Sequence, residues 1–365
     1  MLSAGDAQKV AALMRETAAS ELVPRFRNLA GDEIREKRPG DVVTIADVAS
    51  EQRLANGLAA ILPGVPVVGE EAVEKDPGLL DLIRRPGESC WVVDPLDGTS
   101  NFAAGRDRFA MIVCLVHDRN TIAGWILDVP NGRLAVALQG QGVTVDNVAP
   151  APQRERRPPP GFIGFRVARE FDRQLQPVQR RRLGSLTTLK CAGCEYIELL
   201  SGQRDFSLYR RIKPWDHAAG ALMMSEAGGV AEHFDGSPYR PDNGLEAGII
   251  TAASREVMGE VRAILDAVDA RLASVRREFA DSVEQMVMGT NSNTRYHVDA
   301  TLSEDIISAQ FSAPFSLAMT LINGSNGFRL SGLASDDLTG MAVGNAGDVN
   351  GDGYADIIIG APSAS

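Results

Sequence analysis

Trp91-Val92-Val93-Asp94-Pro95-Leu96-Asp97-Gly98-Thr99-Ser100-Asn101-Phe102 reads as a buried strand that ends in two carboxylates, followed at once by a Gly-Thr turn and a helix start. Carboxylate oxygens at this spacing suit a hard cation such as Mg²⁺. Backbone N–H groups at a Gly-rich helix start suit a phosphate. A cation site and an anion site within one turn point toward phosphoryl chemistry.

Working outward, other segments also end an element with acidic residues: Asp47 with Glu51, Glu70 with Glu71, and Asp216. A carboxylate picked at random is a solvated surface group. That account weakens for Asp94 and Asp97, which follow an apolar Trp-Val-Val. It weakens for Asp216, which follows Trp215 and precedes the small residues Ala218-Ala219-Gly220. Apolar spacing predicts an amphipathic helix over 6–30, with Asp6 as N-cap and a kink at Pro24, and a second helix over 44–62. Strand-like runs follow at 65–68, 90–93, 109–117, 121–128 and 133–138. The first half is thus α+β, helices on a mostly antiparallel sheet. A Pro- and Arg-rich connector spans 147–160. The second half reads as α/β: strands at 161–166, 205–209 and 248–252, and helices at 185–200 (opened by Gly184-Ser185), 215–227 and 255–268.

The chain has 365 residues, is 44% hydrophobic and 23% charged, and carries a net charge of −11. That charge disfavours nucleic acid and anionic membranes as partners. No apolar run reaches the ~18 residues of a membrane span, and no leader pattern opens the chain, so the expected location is the cytoplasm. The four cysteines are Cys90, Cys114, Cys191 and Cys194. A single CxxC without a second pair, or a His at zinc-finger spacing, reads as two reduced cysteines in a helix. His117, His217, His233 and His297 are scattered, and His217 reads as structural or exposed. Met223 and Met224 read as core filler.

The segment Asp94-Pro-Leu-Asp97-Gly98-Thr99-Ser-Asn101-Phe102 resembles the first signature of the inositol monophosphatase family. Trp215-Asp216-His-Ala-Ala-Gly220, followed by Glu226-Ala-Gly-Gly229, resembles the second. Thr44-Ile-Ala-Asp47-Val-Ala-Ser-Glu51 and Gly69-Glu70-Glu71 are similar to two further family segments, in the same order across about 1–270. The resemblance implies a layered α-β-α-β-α fold shared with sugar phosphatases, with a metal- and phosphate-binding half at 1–146 and a substrate half at 147–270. It implies Mg²⁺-dependent hydrolysis of a small phosphate monoester by metal-activated water, two or three Mg²⁺ per site, and a homodimer. Carried over residue by residue, Glu70, Asp94 and the Leu96 carbonyl hold one metal, and Asp94, Asp97 and Asp216 a second. Asp47 and Thr99 orient and activate the water, Gly98 and Thr99 N–H groups bind phosphate, and Gly184-Ser185 open a helix near the substrate's alcohol. Lys37 lies where the family carries a basic residue near a weaker third metal. One departure concerns substrate. Where the animal inositol-specific enzymes have a Glu that contacts inositol, this chain has Tyr209, with Arg210, Arg211 and Lys213 nearby. The basic cluster is either a solvated edge or, through Arg211 above all, a contact for a second anionic group. Sugar, amino-alcohol and nucleotide phosphates stay open as substrates beside inositol phosphates.

After about residue 270 the pattern changes. Asp348-x-Asn350-x-Asp352-Gly353-x-x-Asp356 has the oxygen-ligand spacing of a Ca²⁺ loop. With its flanks, 328–365 resembles one FG-GAP repeat of integrin-type propellers, and within the unassigned 271–327 a segment faintly resembles the 2-methylcitrate dehydratase family. One repeat alone lacks the neighbours that bury its faces. The rival reading of the chain is a Ca²⁺-binding adhesion module carrying an inactive phosphatase-like scaffold.

Overall fold

The computed structural model describes residues 2–30, 33–38, 41–151 and 156–288, and beyond these the strand segments 298–303, 306–311, 316–321, 328–331, 342–347 and 356–360. The chain forms two compact units, Met1–Asp266 and Ala267–Ser365.

Helix α1 (Ala4–Thr17) opens with a capping box in which Ser3 is the N-cap and Asp6 the third helical residue, so Asp6 is not the cap. The chain leaves the α-helix well before Pro24, through a π turn at Ala18–Leu22. The expected kink is therefore an end, because Pro24 has no N–H with which to continue the ladder. A hairpin, β1 (Ile34–Arg38) and β2 (Asp41–Thr44), leads into α2 (Ile45–Ile61). Then come β3 (Val67–Gly69), α3 (Glu70–Lys75), β4 (Ser89–Asp97) and the short α4 (Thr99–Ala103). Strands β5 (Ala110–His117), β6 (Asn120–Asp128), β7 (Arg133–Leu138) and β8 (Val143–Val145) complete a six-stranded sheet in the order β3-β4-β5-β6-β7-β8. Only the β3–β4 pair is parallel.

The second half starts with β9 (Gly161–Ile163), shorter than expected because Gly164 caps helix α5 (Phe165–Gln174). After α6 (Pro177–Arg180) the chain enters β10 (Leu186–Thr187), not a helix. Leu186 and Thr187 pair in parallel with Gly161 and Phe162, a long-range pairing that a local reading of Gly184-Ser185 as a helix start does not detect. The helix itself is α7 (Ala192–Leu200). Strand β11 (Phe206–Tyr209), helix α8 (Pro214–Glu226), strands β12 (Val230–Glu232) and β13 (Ile249–Ala252), and helix α9 (Arg255–Met288) follow. The second sheet has the order β10-β9-β11-β13-β12.

Period-two alternation in β4 explains the layering. Trp91 and Val93 face α1 and α2 with Trp125, Phe102 and Phe109. Cys90 and Val92 face the opposite way, toward α7 and α8. Strand β4 is buried on both sides, and each buried aromatic contributes about 2 kcal/mol. Helix α8 lies between the two sheets, contacting β6 on one side and β12 on the other. Its small residues allow this: a Cβ on Gly124 of β6 would stand 3.0 Å from the Ala219 Cα. The result is an α-β-α-β-α stack with α5 against β11.

The second unit holds an antiparallel meander of β14 (Val298–Ser303), β15 (Ile306–Phe311), β16 (Ser316–Leu321) and β17 (Phe328–Ser331). It ends in a hairpin of β18 (Ala342–Gly347) and β19 (Asp356–Gly360). The candidate Ca²⁺ residues Asp348, Asn350 and Asp352 lie outside the described residues; Asp356 opens β19 and its side chain is likewise outside them. Among the described residues, no helix is long and apolar enough to cross a membrane.

Candidate active site

The site is built where β4 runs out. The β4–β5 register breaks between Asp94 and Asp97, which turns Asp97 out of plain alternation. Asp94 caps its own turn by accepting the Leu96 N–H at Oδ1 (3.0 Å). Gly98 then adopts φ +85°, a left-handed conformation suited to glycine, and starts α4. Thr99, the first residue of α4, donates its hydroxyl toward two acceptors, Asp47 Oδ1 at 2.9 Å and the Leu96 carbonyl at 2.8 Å. Asp47 sits in the first turn of α2, where its Oδ2 accepts the Thr44 N–H (2.8 Å) and the Thr44 hydroxyl (2.6 Å). Burial pushes the Asp47 carboxyl up to about 7, against the pull of the Thr44 bonds.

Glu70 heads α3, directly after β3, and Asp216 stands in the first turn of α8. Asp94 is 2% exposed, and its carboxyl lies well above the usual range, because of burial first and then the charges of Glu70, Asp97 and Asp216. Asp216 is pushed up to about 8, again by burial first, with Glu70 and Asp97 adding to it. The structure therefore brings Glu70, Asp94, Asp97 and Asp216 into one electrostatic cluster. Among the described residues, no three His, Cys, Asp or Glu side chains stand ready as they are to hold a metal ion. The cluster's positive charge comes instead from Lys213, whose Nζ is 2.9 Å from Glu70 Oε1. The donor chemistry fits a divalent cation nonetheless. The side chains offer only oxygen, and their mutual repulsion is the deficit that such a cation would neutralise.

Glu51, beside the cluster, hydrogen-bonds the first turn of α3 by accepting the Glu71 N–H at 2.8 Å. Its carboxyl is raised to about 7, by burial first and then, among the charges, by Glu71.

The other wall is α7. Its N-cap is Cys191, and Asp97 Oδ2 accepts the Gly193 N–H at 2.5 Å and the Cys191 thiol at 3.2 Å. Asn101 ties α4 to the approach to α7 by donating to the Leu189 carbonyl at 2.8 Å. Gly184 and Ser185 do not open α7; they make backbone hydrogen bonds with Pro159 and Gly161. The Cys191–Gly193 contact with Asp97 was missed because Cys-x-x-Cys reads as two packing thiols. All four cysteines are indeed free and buried.

Tyr209 donates its hydroxyl to Glu195 Oε2, and its ring packs on His217 with centroids 4.7 Å apart. His217 is buried beside the Tyr196 hydroxyl (3.1 Å), and burial lowers its imidazole to about 3, so it stays neutral. Met223 and Met224 are core residues. In the basic cluster, Arg210 pairs with Glu170 at 3.0 Å and stacks on Phe234. Arg211 stands 3.9 Å from Glu246 with its side chain 42% exposed. The Lys37 side chain is outside the described residues.

Comparison with known proteins bears on the family and the fold. The inositol monophosphatase family model matches residues 4–270, and an FG-GAP repeat model matches 339–365. An inositol-1-monophosphatase of Mycobacterium leprae is 30% identical over 71% of this chain and 90% of its own length. One of Bacillus subtilis is 26% identical over 55% of this chain and 76% of its own. The solved structure of a Thermotoga maritima IMPase superposes with a TM-score of 0.56 at 20% identity, covering 70% of this chain and 96% of that one, and so shares the fold. The chain belongs to the inositol monophosphatase family.

Proposed function

We propose that the chain is a Mg²⁺-dependent phosphomonoesterase acting on a small phosphorylated alcohol. The observation that carries this reading is the Thr99 hydroxyl held on Asp47 next to the cluster of Glu70, Asp94, Asp97 and Asp216. Glu70, Asp94 and the Leu96 carbonyl would hold one Mg²⁺, and Asp94, Asp97 and Asp216 a second. Bound there, the cations would supply Lewis-acid activation of the attacking water and neutralise the phosphate's charge.

The protein's own part is positional. The Thr99 hydroxyl has one proton and two acceptors, so its remaining lone pair can take a hydrogen bond from a water. Asp47 Oδ2 is committed to Thr44, which leaves Oδ1 as the oxygen that receives the Thr99 proton. Together the two residues orient a water oxygen toward phosphorus, and Asp47 accepts the proton that this releases. The Gly98 and Thr99 N–H groups face the phosphate in this reading. Residues 1–146 would thus serve metal and phosphate, and 147–270 the alcohol side and, through Asp216, the second metal.

Tyr209 argues for a substrate other than myo-inositol 1-phosphate. Its hydroxyl is already committed to Glu195, so it offers the substrate an aromatic edge rather than a carboxylate. The exposed Arg211, paired only at 3.9 Å with Glu246, would meet a second anionic group. In this reading the protein is a cytoplasmic homodimer. Hydrolysis of a panel of sugar, inositol, nucleotide and amino-alcohol phosphates, in Mg²⁺ and in EDTA, tests the proposal. Phosphate release that requires Mg²⁺ is expected; no release from any of these, or release requiring Ca²⁺, would exclude it.

A further inference from the structure

Lys213 is the N-cap residue of α8 and precedes the Pro214 that starts it. Its backbone is fixed by the Asp216 N–H, which donates to the Lys213 carbonyl at 3.2 Å. Its side chain crosses toward α3 and ends 2.9 Å from Glu70 Oε1, with the ammonium 5.5 Å from the centre of the Trp215 ring. The two partners are 29% and 15% exposed, so this ion pair is screened less than a surface one. A lysine is a compact cation on a rotatable stem and can let go of one carboxylate without moving its backbone. Its position is unusual: a fixed positive charge on a carboxylate that a divalent cation would also claim.

We propose that Lys213 is a built-in counter-cation of the carboxylate cluster, holding Glu70 in the metal-free protein and leaving it when a divalent cation is taken up. This inference rests on the metal reading above. Its physical content is a competition. Without metal, the lysine limits repulsion among the buried carboxylates and keeps the site assembled. With metal, the Lys213–Glu70 pair must break and the ammonium is repelled by the incoming charge. The lysine therefore weakens metal affinity while it stabilises the empty protein, two effects linked through one carboxylate.

Two measurements on the full chain test this. In calorimetric titration with Mg²⁺, Lys213→Met is expected to bind about fivefold more tightly than wild type. Lys213→Arg is expected to bind more weakly, because a guanidinium grips a carboxylate at two points. Lys9→Met, which removes an equal charge at an exposed pair with Asp6, is expected to leave the affinity unchanged. In EDTA the melting temperature of Lys213→Met should fall below wild type, and saturating Mg²⁺ should close the gap. The second measurement needs no variant: reductive methylation of wild type, mapped by mass spectrometry, should modify Lys213 faster in Mg²⁺ than in EDTA. Equal methylation rates, or a Lys213→Met affinity no tighter than wild type, would overturn the inference with the metal reading intact. A wild-type chain that takes up no Mg²⁺ would overturn both.

Discussion

The Thr99 hydroxyl lies 2.9 Å from Asp47 Oδ1, joining residues 52 positions apart at the first turns of two helices. Neither residue needs the other for its own helix. Asp47 is already satisfied at Oδ2 by the Thr44 capping box, and Thr99 already reaches the Leu96 carbonyl. The pairing is thus an addition to two complete local structures. It leaves a hydroxyl with a free lone pair beside a buried carboxylate, an arrangement suited to orienting water.

Thr99→Ala should lower kcat by about 10²-fold, the scale of a lost proton-transfer or orienting group, with KM much less changed. Asp47→Asn should lose a similar factor. The double variant should be little worse than either single one, because the two act as a unit. Steady-state kinetics of the three variants decides this; independent, multiplying losses would separate the pair.

Asp94→Asn should abolish nearly all phosphatase activity while the fold persists. It should also raise the melting temperature in EDTA, because burial and the neighbouring carboxylates hold the Asp94 carboxyl well above its usual range, a cost to folding that Asn does not carry. Turnover and thermal melts of the same preparation test both halves. Near-wild-type turnover would remove Asp94 from the metal assignment.

Metal-free stability should fall as pH rises from about 5 to 8. Asp47 and Glu51 titrate near 7 and Asp216 and Glu195 near 8 in the folded chain, raised in each case by burial first. The folded state then binds more protons than the unfolded state across this window, so stability is fully present below the unfolded carboxylate range and lost through pH 7–8. His217, lowered to about 3 by burial, works the opposite way below its unfolded value and blunts the acid end. Mg²⁺ should remove the share of Asp216, a proposed ligand, and leave the shares of Asp47, Glu51 and Glu195, which lie outside the proposed ligand set. Melting temperatures across the pH range, with EDTA and with Mg²⁺, measure this. A metal-free protein that gains stability toward pH 8 would contradict it.

Much of the site was legible in the sequence because its parts are local. A strand that ends in Asp94, Asp97 and a Gly-Thr turn shows itself in one window, and so does Trp215-Asp216 before small residues. What was not legible is tertiary. The start of α7 was misplaced because Gly184-Ser185 has the composition of a cap, whereas the chain there pairs with β9. Lys213 stood in view as part of a basic cluster, but its partner Glu70 is 143 residues away. Tyr209 was noted for the residue it replaces, yet its bond to Glu195 exists only because β11 passes α7.

Removing residues 275–365 should leave kcat, KM and Mg²⁺ dependence unchanged. The compact unit that contains every proposed ligand ends at Asp266, and α9 residues as far as Val268 are buried. The cut at 274 keeps that buried face whole. Comparing activity and melting temperature with the full chain tests it, and a loss of either would show that the tail belongs to the working unit.

Gly98→Ala separates conformational strain from crowding. At φ +85° any residue with a Cβ is strained, by about 1–2 kcal/mol. Here the added Cβ would also meet the Arg108 carbonyl oxygen at 2.8 Å and the Cys191 Cβ at 3.1 Å. The first of these is backbone and cannot swing aside, so about 1–3 kcal/mol of overpacking is added. Gly132 is the control: its φ is +67°, and nothing lies within 4 Å of its would-be Cβ. Gly132→Ala should therefore show the strain alone and keep full activity. Gly98→Ala should lose more stability and, because the displaced turn carries Thr99 and abuts Asp97, most of its turnover. Denaturant melts of the two variants give the difference directly, and equal losses would mean that the turn yields without disturbing its neighbours.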